Sequence, residues 1–218
     1  MKTRISWIFY CLVSFMLLPS LSAAERFVTN ESNGFTWIQQ GKAYPILVDS
    51  QEDKGVLRAV ANLQTDAGKV TGATPEIIHS PSGNRILIVG SVENSSWIKQ
   101  LVQAGKIPAA DLKGKREKYI LQTVKQPVEG VEEAIVIAGS DKRGTIYGIY
   151  ELSRQMGVSP WYFWADVPVE KHDIISIKEG VYTDGEPAVK YRGIFLNDEW
   201  PSLGGWASVT FGGFNSKF

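Results

Sequence analysis

The sequence predicts an α/β fold in which a layered, mixed sheet packs against helices. Three observations carry that expectation. Short apolar runs alternate with segments whose apolar residues recur at helical spacing, the pattern of strands and amphipathic helices in turn. Ile86-Leu87-Ile88-Val89-Gly90 is continuously apolar, as in a strand covered on both faces. Gly72 and Gly157 stand just past two of the helical segments, where a left-handed residue commonly ends a helix.

Residues 1–24 are set aside from the fold. Lys2 and Arg4 precede an apolar run from Ile5 to Leu18, Pro19 breaks it, and Ser22-Ala23-Ala24 supplies small residues for cleavage. This reads as a signal peptide cut after Ala24, with a periplasmic or secreted product and no integral membrane span once it is removed. The run falls short of the roughly 20 residues a bilayer span needs. Cys11 lies inside it rather than just after it, which argues against a lipid anchor, and the remaining chain has no cysteine to form a disulfide. Lysine plus arginine equals aspartate plus glutamate at 23 each, so nucleic acid has no electrostatic footprint here.

The N-terminal α/β domain is expected over 25–180. Phe35 to Ile38 and Tyr44 to Val48 read as strands joined by a hairpin across Gln39-Gln40-Gly41-Lys42. Asp49 or Ser50 is expected to cap a helix that buries Val56, Val60, Leu63, Ala67 and Val70. Thr74 to His79 reads as a strand and Pro81-Ser82-Gly83-Asn84 as a turn. Ser95 or Ser96 should cap a helix carrying Trp97, Ile98, Leu101 and Val102. Strands follow at Tyr119 to Val124 and Ala134 to Ala138, then a helix over 145–156 with Ile146, Ile149, Leu152 and Met156 on one face. Ile174 to Ile177 closes the domain, and 181–188 is expected as a linker. Val189 to Leu196 then reads as a new strand with no helix after it, and the glycine-rich aromatic tail cannot close a domain by itself.

Four features could carry chemistry. The run Tyr191-Arg192-Gly193-Ile194-Phe195-Leu196-Asn197-Asp198-Glu199-Trp200-Pro201-Ser202 ends a strand in two acids. Neighbours on a strand point to opposite faces, so Asp198 and Glu199 do not converge on one bond, and solvated turn acids are the plain alternative. Gly139-Ser140-Asp141-Lys142-Arg143-Gly144 runs from strand to helix like a phosphate loop but lacks the glycine spacing, and a tight turn with Asp141 at the helix start is preferred. Trp161-Tyr162-Phe163-Trp164 would place two aromatics on each face of a strand, which suits an interdomain seam first and a carbohydrate platform second. His79 and His172 have no ligand set around them, so neither a metal nor another cofactor is expected.

Residues 139–169, GSDKRGTIYGIYELSRQMGVSPWYFWADVPV, followed by KYRGIFLNDEWPSLGGW and FGGFN, resemble glycoside hydrolase family 115. These are α-glucuronidases that remove glucuronic acid or its 4-O-methyl form from xylan side chains. The resemblance implies an N-terminal domain like the second domain of β-hexosaminidases, followed by a catalytic (β/α)8 barrel. Residues 189–218 would then be the truncated start of that barrel, with Asn197, Asp198 and Glu199 at the C-terminal end of its first strand, where barrel enzymes keep their active sites. The family's inverting mechanism needs an acid and a base roughly 6.5–9.5 Å apart. Asp198, with Glu199, is carried over as a catalytic carboxylate and Asn197 as a supporting substrate-binding residue, while Trp161, Trp164 and Trp206 are the aromatic residues expected to bind substrate. Glucuronoxylan or a related polysaccharide is the implied partner, and a homodimer the implied form of the full enzyme. A barrel takes about 250 residues. The chain is therefore expected to be a truncated product, an incomplete gene model or a separately completed fragment, inactive by itself. Two rival readings are a noncatalytic carbohydrate-binding or docking domain using 161–164, and a related glycosidase acting on another sugar.

Overall fold

The computed structural model describes residues 25–163, 165–193, 195, 197, 199, 200, 204, 205 and 209, so the signal peptide expected over 1–24 lies outside the described residues. The chain forms two compact units, one ending at Glu186 and the other starting at Pro187. In the first, the strands are β1 Val28–Thr29, β2 Phe35–Gln39, β3 Lys42–Ala43, β4 Ile46–Val48, β5 Ile77–Ile78, β6 Arg85–Ser91, β7 Tyr119–Lys125, β8 Glu133–Gly139, β9 Ile174–Ile177 and β10 Val181–Tyr182. The helices are α1 Lys54–Thr71, α2 Ser96–Gln103 and α3 Lys142–Met156, with a short 3-10 turn at Ala109–Asp111.

A six-stranded sheet in the order β10-β7-β8-β6-β4-β5 forms the middle layer. It is mixed: β8, β6, β4 and β5 run parallel, β7 pairs antiparallel with β8, and β10 pairs antiparallel with β7. The pleat sends Leu87, Val89, Ile135 and Ile137 to one face, where they meet α1 and α3. It sends Ile86, Ile88, Val136 and Ala138 to the other, where α2 covers them. Burial on both faces is what the uninterrupted apolar run of β6 announced. A four-stranded antiparallel sheet, β1-β9-β2-β3, completes the first core with Phe27, Phe35 and the buried Trp37, whose indole N–H donates to the Tyr44 carbonyl at 2.8 Å.

Several elements differ from their expected form. The hairpin closes on Lys42–Ala43, not on Tyr44 to Val48. Pro45 has no N–H for a ladder, and beyond it Ile46–Val48 crosses into the six-stranded sheet. Helix α1 is capped by Asp53, whose carboxylate accepts the Gly55 N–H at 2.8 Å, rather than by Asp49 or Ser50. The strand expected over 74–79 is only the pair Ile77–Ile78. Ser95 caps α2 as one of its two candidates, and Gly72 and Gly157 end α1 and α3 with φ of 77° and 115°. Val56, Val60, Leu63, Ala67 and Val70 are all buried on α1, as their spacing predicts.

Two polar clusters brace this unit. At the C-terminal ends of β4 and β6, the buried Glu52 accepts the Ser91 N–H at 2.8 Å and hydroxyl at 2.9 Å, and the Asp53 N–H at 3.1 Å. Beside it, Asp49 accepts the Ser96 hydroxyl at 2.5 Å and N–H at 3.0 Å, and the Gln51 N–H at 3.0 Å. The Ser96 hydroxyl foremost holds the Asp49 carboxyl below the usual carboxylate range.

The second cluster holds the stretch expected as a linker. Val181–Tyr182 is strand β10, paired with Leu121 and Gln122 of β7. Beyond it, the Tyr119 phenol donates to Asp184 at 2.9 Å, and Glu186 accepts the Arg116 N–H at 2.8 Å beside Lys115 at 3.5 Å. Burial, reinforced by Asp184, pushes the Tyr119 phenol well above its ordinary value.

Candidate functional site

The acid-bearing run lies in the second unit. Asn197 and Glu199 are exposed, while Asp198, Trp206, Ile194 and Leu196 lie outside the described residues. The described residues of 189–196 join no sheet, and Tyr191, Phe195 and Trp200 are 83%, 90% and 89% exposed. The Arg192 guanidinium donates to the Val189 carbonyl.

The strand-to-helix loop 139–144 is a packing device, as preferred on sequence grounds. Asp141 caps α3: one carboxylate oxygen accepts the Gly144 N–H and the other the Glu117 N–H, both at 2.8 Å. The chain's own carboxylate therefore occupies the helix start where an anion would bind. Its glycines permit close approach, because a Cβ on Gly144 would stand 2.2 Å from the Lys118 carbonyl oxygen, which already accepts the Ser140 N–H. Gly144→Ala is expected to cost about 1–3 kcal/mol through overpacking, read as a lower Tm. An unchanged Tm would show that the Lys118 carbonyl yields freely.

Both histidines have structural partners. His79 Nδ1 lies 2.9 Å from the Val48 carbonyl, and His172 Nε2 lies 3.5 Å from Glu170. Among the described residues no group of three or more His, Cys, Asp or Glu side chains could hold a metal ion.

The described residues of the aromatic segment, 161–163, form turns rather than a strand, so the expected alternation of faces does not hold there. The Ser159 hydroxyl accepts the Trp161 N–H at 3.1 Å, its carbonyl accepts the Tyr162 N–H, and the Trp161 carbonyl accepts the Ala165 N–H. Pro160 fits this geometry, since its fixed φ is preset for a turn. Trp161 is 57% exposed, and Trp164 lies outside the described residues.

The turns roof a groove of about 450 Å³ between the outer faces of α1 and α3. Tyr162 and Phe163 form the roof, with the Lys69 ammonium 4.2 Å from the Tyr162 ring centre. Across the groove, the Asn62 amide donates to the Tyr150 hydroxyl at 2.7 Å. Ser153 lines it and is buried, and among the described residues its hydroxyl has no hydrogen-bond partner. Sequence reasoning found Tyr162 and Phe163 but missed Asn62, Tyr150 and Ser153. The available signal was the polar series Asn62, Thr65, Asp66 and Lys69, which recurs at helical spacing alongside the buried stripe of α1.

Comparison with known proteins adds three findings. The family model of the glycosyl hydrolase family 67 N-terminus matches residues 36–152, and that of glycosyl hydrolase family 115 matches residues 184–218. Among solved structures, the chain is similar to a family GH115 4-O-methyl-α-glucuronidase, BtGH115A, with specificity for decorated arabinogalactans. Identity is 33% and the TM-score 0.67, over 84% of this chain and 22% of that one. The chain also aligns with a Streptomyces plicatus β-hexosaminidase at 16% identity and TM-score 0.42, over 73% of this chain and 25% of that one. A Flavobacterium johnsoniae chitobiase aligns at 14% and 0.42, over 79% and 21%. No curated protein matches the chain.

Proposed function

The chain belongs to the glycoside hydrolases as an N-terminal region of family 115, with a domain of the family 67 N-terminus type, and from that premise we propose that it serves a secreted or periplasmic α-glucuronidase. The reaction is removal of 4-O-methylglucuronic acid from the side chains of glucuronoxylan by an inverting acid/base mechanism. The observation that carries this reading is the match over 184–218, which spans the run ending in Asn197, Asp198 and Glu199.

On this reading residues 189–196 supply the first strand of a (β/α)8 barrel and Asp198 stands at its C-terminal end. Inversion uses a water placed between the sugar and a general base, while a general acid protonates the departing oxygen. Adjacent Asp198 and Glu199 cannot stand at both ends of that arrangement. Asp198 therefore works with a carboxylate from another barrel strand, and Glu199 and Asn197 support it.

The test uses a protein in which this region is continuous with a complete barrel. Glucuronoxylan and a decorated arabinogalactan are each digested, and the first product is read by proton NMR. Release of the β-anomer of 4-O-methylglucuronic acid from glucuronoxylan is expected. First release of the α-anomer would overturn inversion. Release from arabinogalactan alone would overturn the xylan assignment, and release from neither would overturn the glucuronidase reading. The groove under Tyr162 and Phe163 favours a second, noncatalytic role in carbohydrate binding.

A further inference from the structure

We propose that the groove between α1 and α3 is a binding subsite for a neutral pyranose residue of a polysaccharide main chain. The choice of a polysaccharide rests on the glycosidase reading; the choice of a neutral sugar rests on the groove itself. Its volume of about 450 Å³ lies within the range of small-ligand sites. Tyr150, Tyr162 and Phe163 are 43%, 38% and 56% exposed. Solvent-exposed aromatic side chains around a concavity offer a contact surface, and the C–H faces of a pyranose ring stack on such rings.

The polar groups suit hydroxyls. Asn62 spends its amide N–H on Tyr150, which leaves its carbonyl oxygen to accept from a sugar and the Tyr150 O–H to donate to one. Ser153 contributes only wall, being 3% exposed with its hydroxyl oxygen sealed from solvent.

A uronate or phosphate fits poorly. Arg154 is committed to Glu151 by two hydrogen bonds of 2.7 and 2.5 Å. Lys69 faces Asp66 at 3.7 Å and the Tyr162 ring. The roofed end of the groove also lies at the C-terminal turns of α1 and α3, whose partial negative charge opposes an anion.

The experiment titrates the isotopically labelled 218-residue chain with xylohexaose, galactohexaose, xylose and glucuronic acid, following amide shifts by NMR. Saturable shifts confined to 62–69, 150–154 and 158–163 are expected with a neutral hexasaccharide. Xylose alone should bind at least tenfold more weakly, and glucuronic acid should not compete. Tyr162→Ala combined with Phe163→Ala should weaken binding at least tenfold, equivalent to about 1.4 kcal/mol, whereas Lys99→Ala, at an exposed position of α2 on the other face of the sheet, should leave it unchanged. If that double variant loses its fold, Asn62→Ala and Tyr150→Phe, both at exposed positions, are expected to weaken binding about three- to tenfold.

No saturable binding of either hexasaccharide would overturn the subsite. So would undiminished affinity in the folded variants, or displacement by glucuronic acid. Xylose binding as tightly as xylohexaose would overturn the main-chain assignment. Failure of the glycosidase reading would appear separately, as absent sugar release by the barrel-containing protein, with hexasaccharide binding to this chain retained.

Discussion

Asp198→Asn, in a protein that joins this region to a complete barrel, is expected to lower kcat on glucuronoxylan by about 10²–10⁴-fold, the range that positioned general acids and bases contribute. Asparagine keeps the shape of aspartate but neither delivers nor accepts a proton at the working pH. KM should change far less than kcat, since the lost interaction belongs to the transition state. The substrate decides which role Asp198 plays. As general acid, it becomes dispensable for an aryl glucuronide whose phenolate departs unaided. As general base, the loss persists on that substrate, and azide should restore turnover by replacing the activated water. Glu199→Gln should cost less in kcat than Asp198→Asn, because only one of two neighbours can face the bond. Equal activity of Asp198→Asn and the parent would remove Asp198 from the chemistry altogether.

Glu52→Ala is expected to destabilise the first unit by about 3–5 kcal/mol. The carboxylate gathers the Ser91 N–H, the Ser91 hydroxyl and the Asp53 N–H, and Ser91 is wholly buried. Truncation leaves these donors without an acceptor, and each buried orphan costs about 1–3 kcal/mol. At about 2–4 °C per kcal/mol for a chain of this size, the Tm should fall by about 10 °C or more. Glu52→Gln should fall between, keeping one acceptor while turning an NH2 toward groups that already donate. Thermal unfolding followed by circular dichroism decides it, and a fall below about 2 °C for Glu52→Ala would mean that water replaces the carboxylate.

The parts of this fold that rest on periodicity were legible before the structure. The buried stripe of α1, the doubly covered β6 and the glycine-terminated helices follow from side-chain spacing and backbone sterics. The hidden parts depend on partners remote in sequence. Asp49 and Asp53 are both fit to cap a helix, and Asp49 is drawn elsewhere by Ser96, forty-seven positions away. The groove is joined by Asn62 and Tyr150, separated by 88 positions. A composition-based reading of the aromatic segment named its tryptophans, whereas the turn set by Ser159 and Pro160 brings Tyr162 and Phe163 to the lining. The acidic pair was legible as a candidate because its surroundings in sequence are specific, but a partner carboxylate cannot be read from two adjacent acids.

The anchoring of residues 181–186 bears on where this unit can be cut. A tether of six free residues would roam over roughly 5–6 Å times the square root of its length. That slack is absent, because β10 pairs with β7, Tyr119 holds Asp184, and Arg116 and Lys115 hold Glu186. A chain shortened to residue 180 would strip the sixth strand and bare the hydrogen-bonding rim of β7, an invitation to pair with another molecule. Six residues that read as a spacer thus work as the selvage of the sheet, and a recombinant version of this unit must keep them through Glu186.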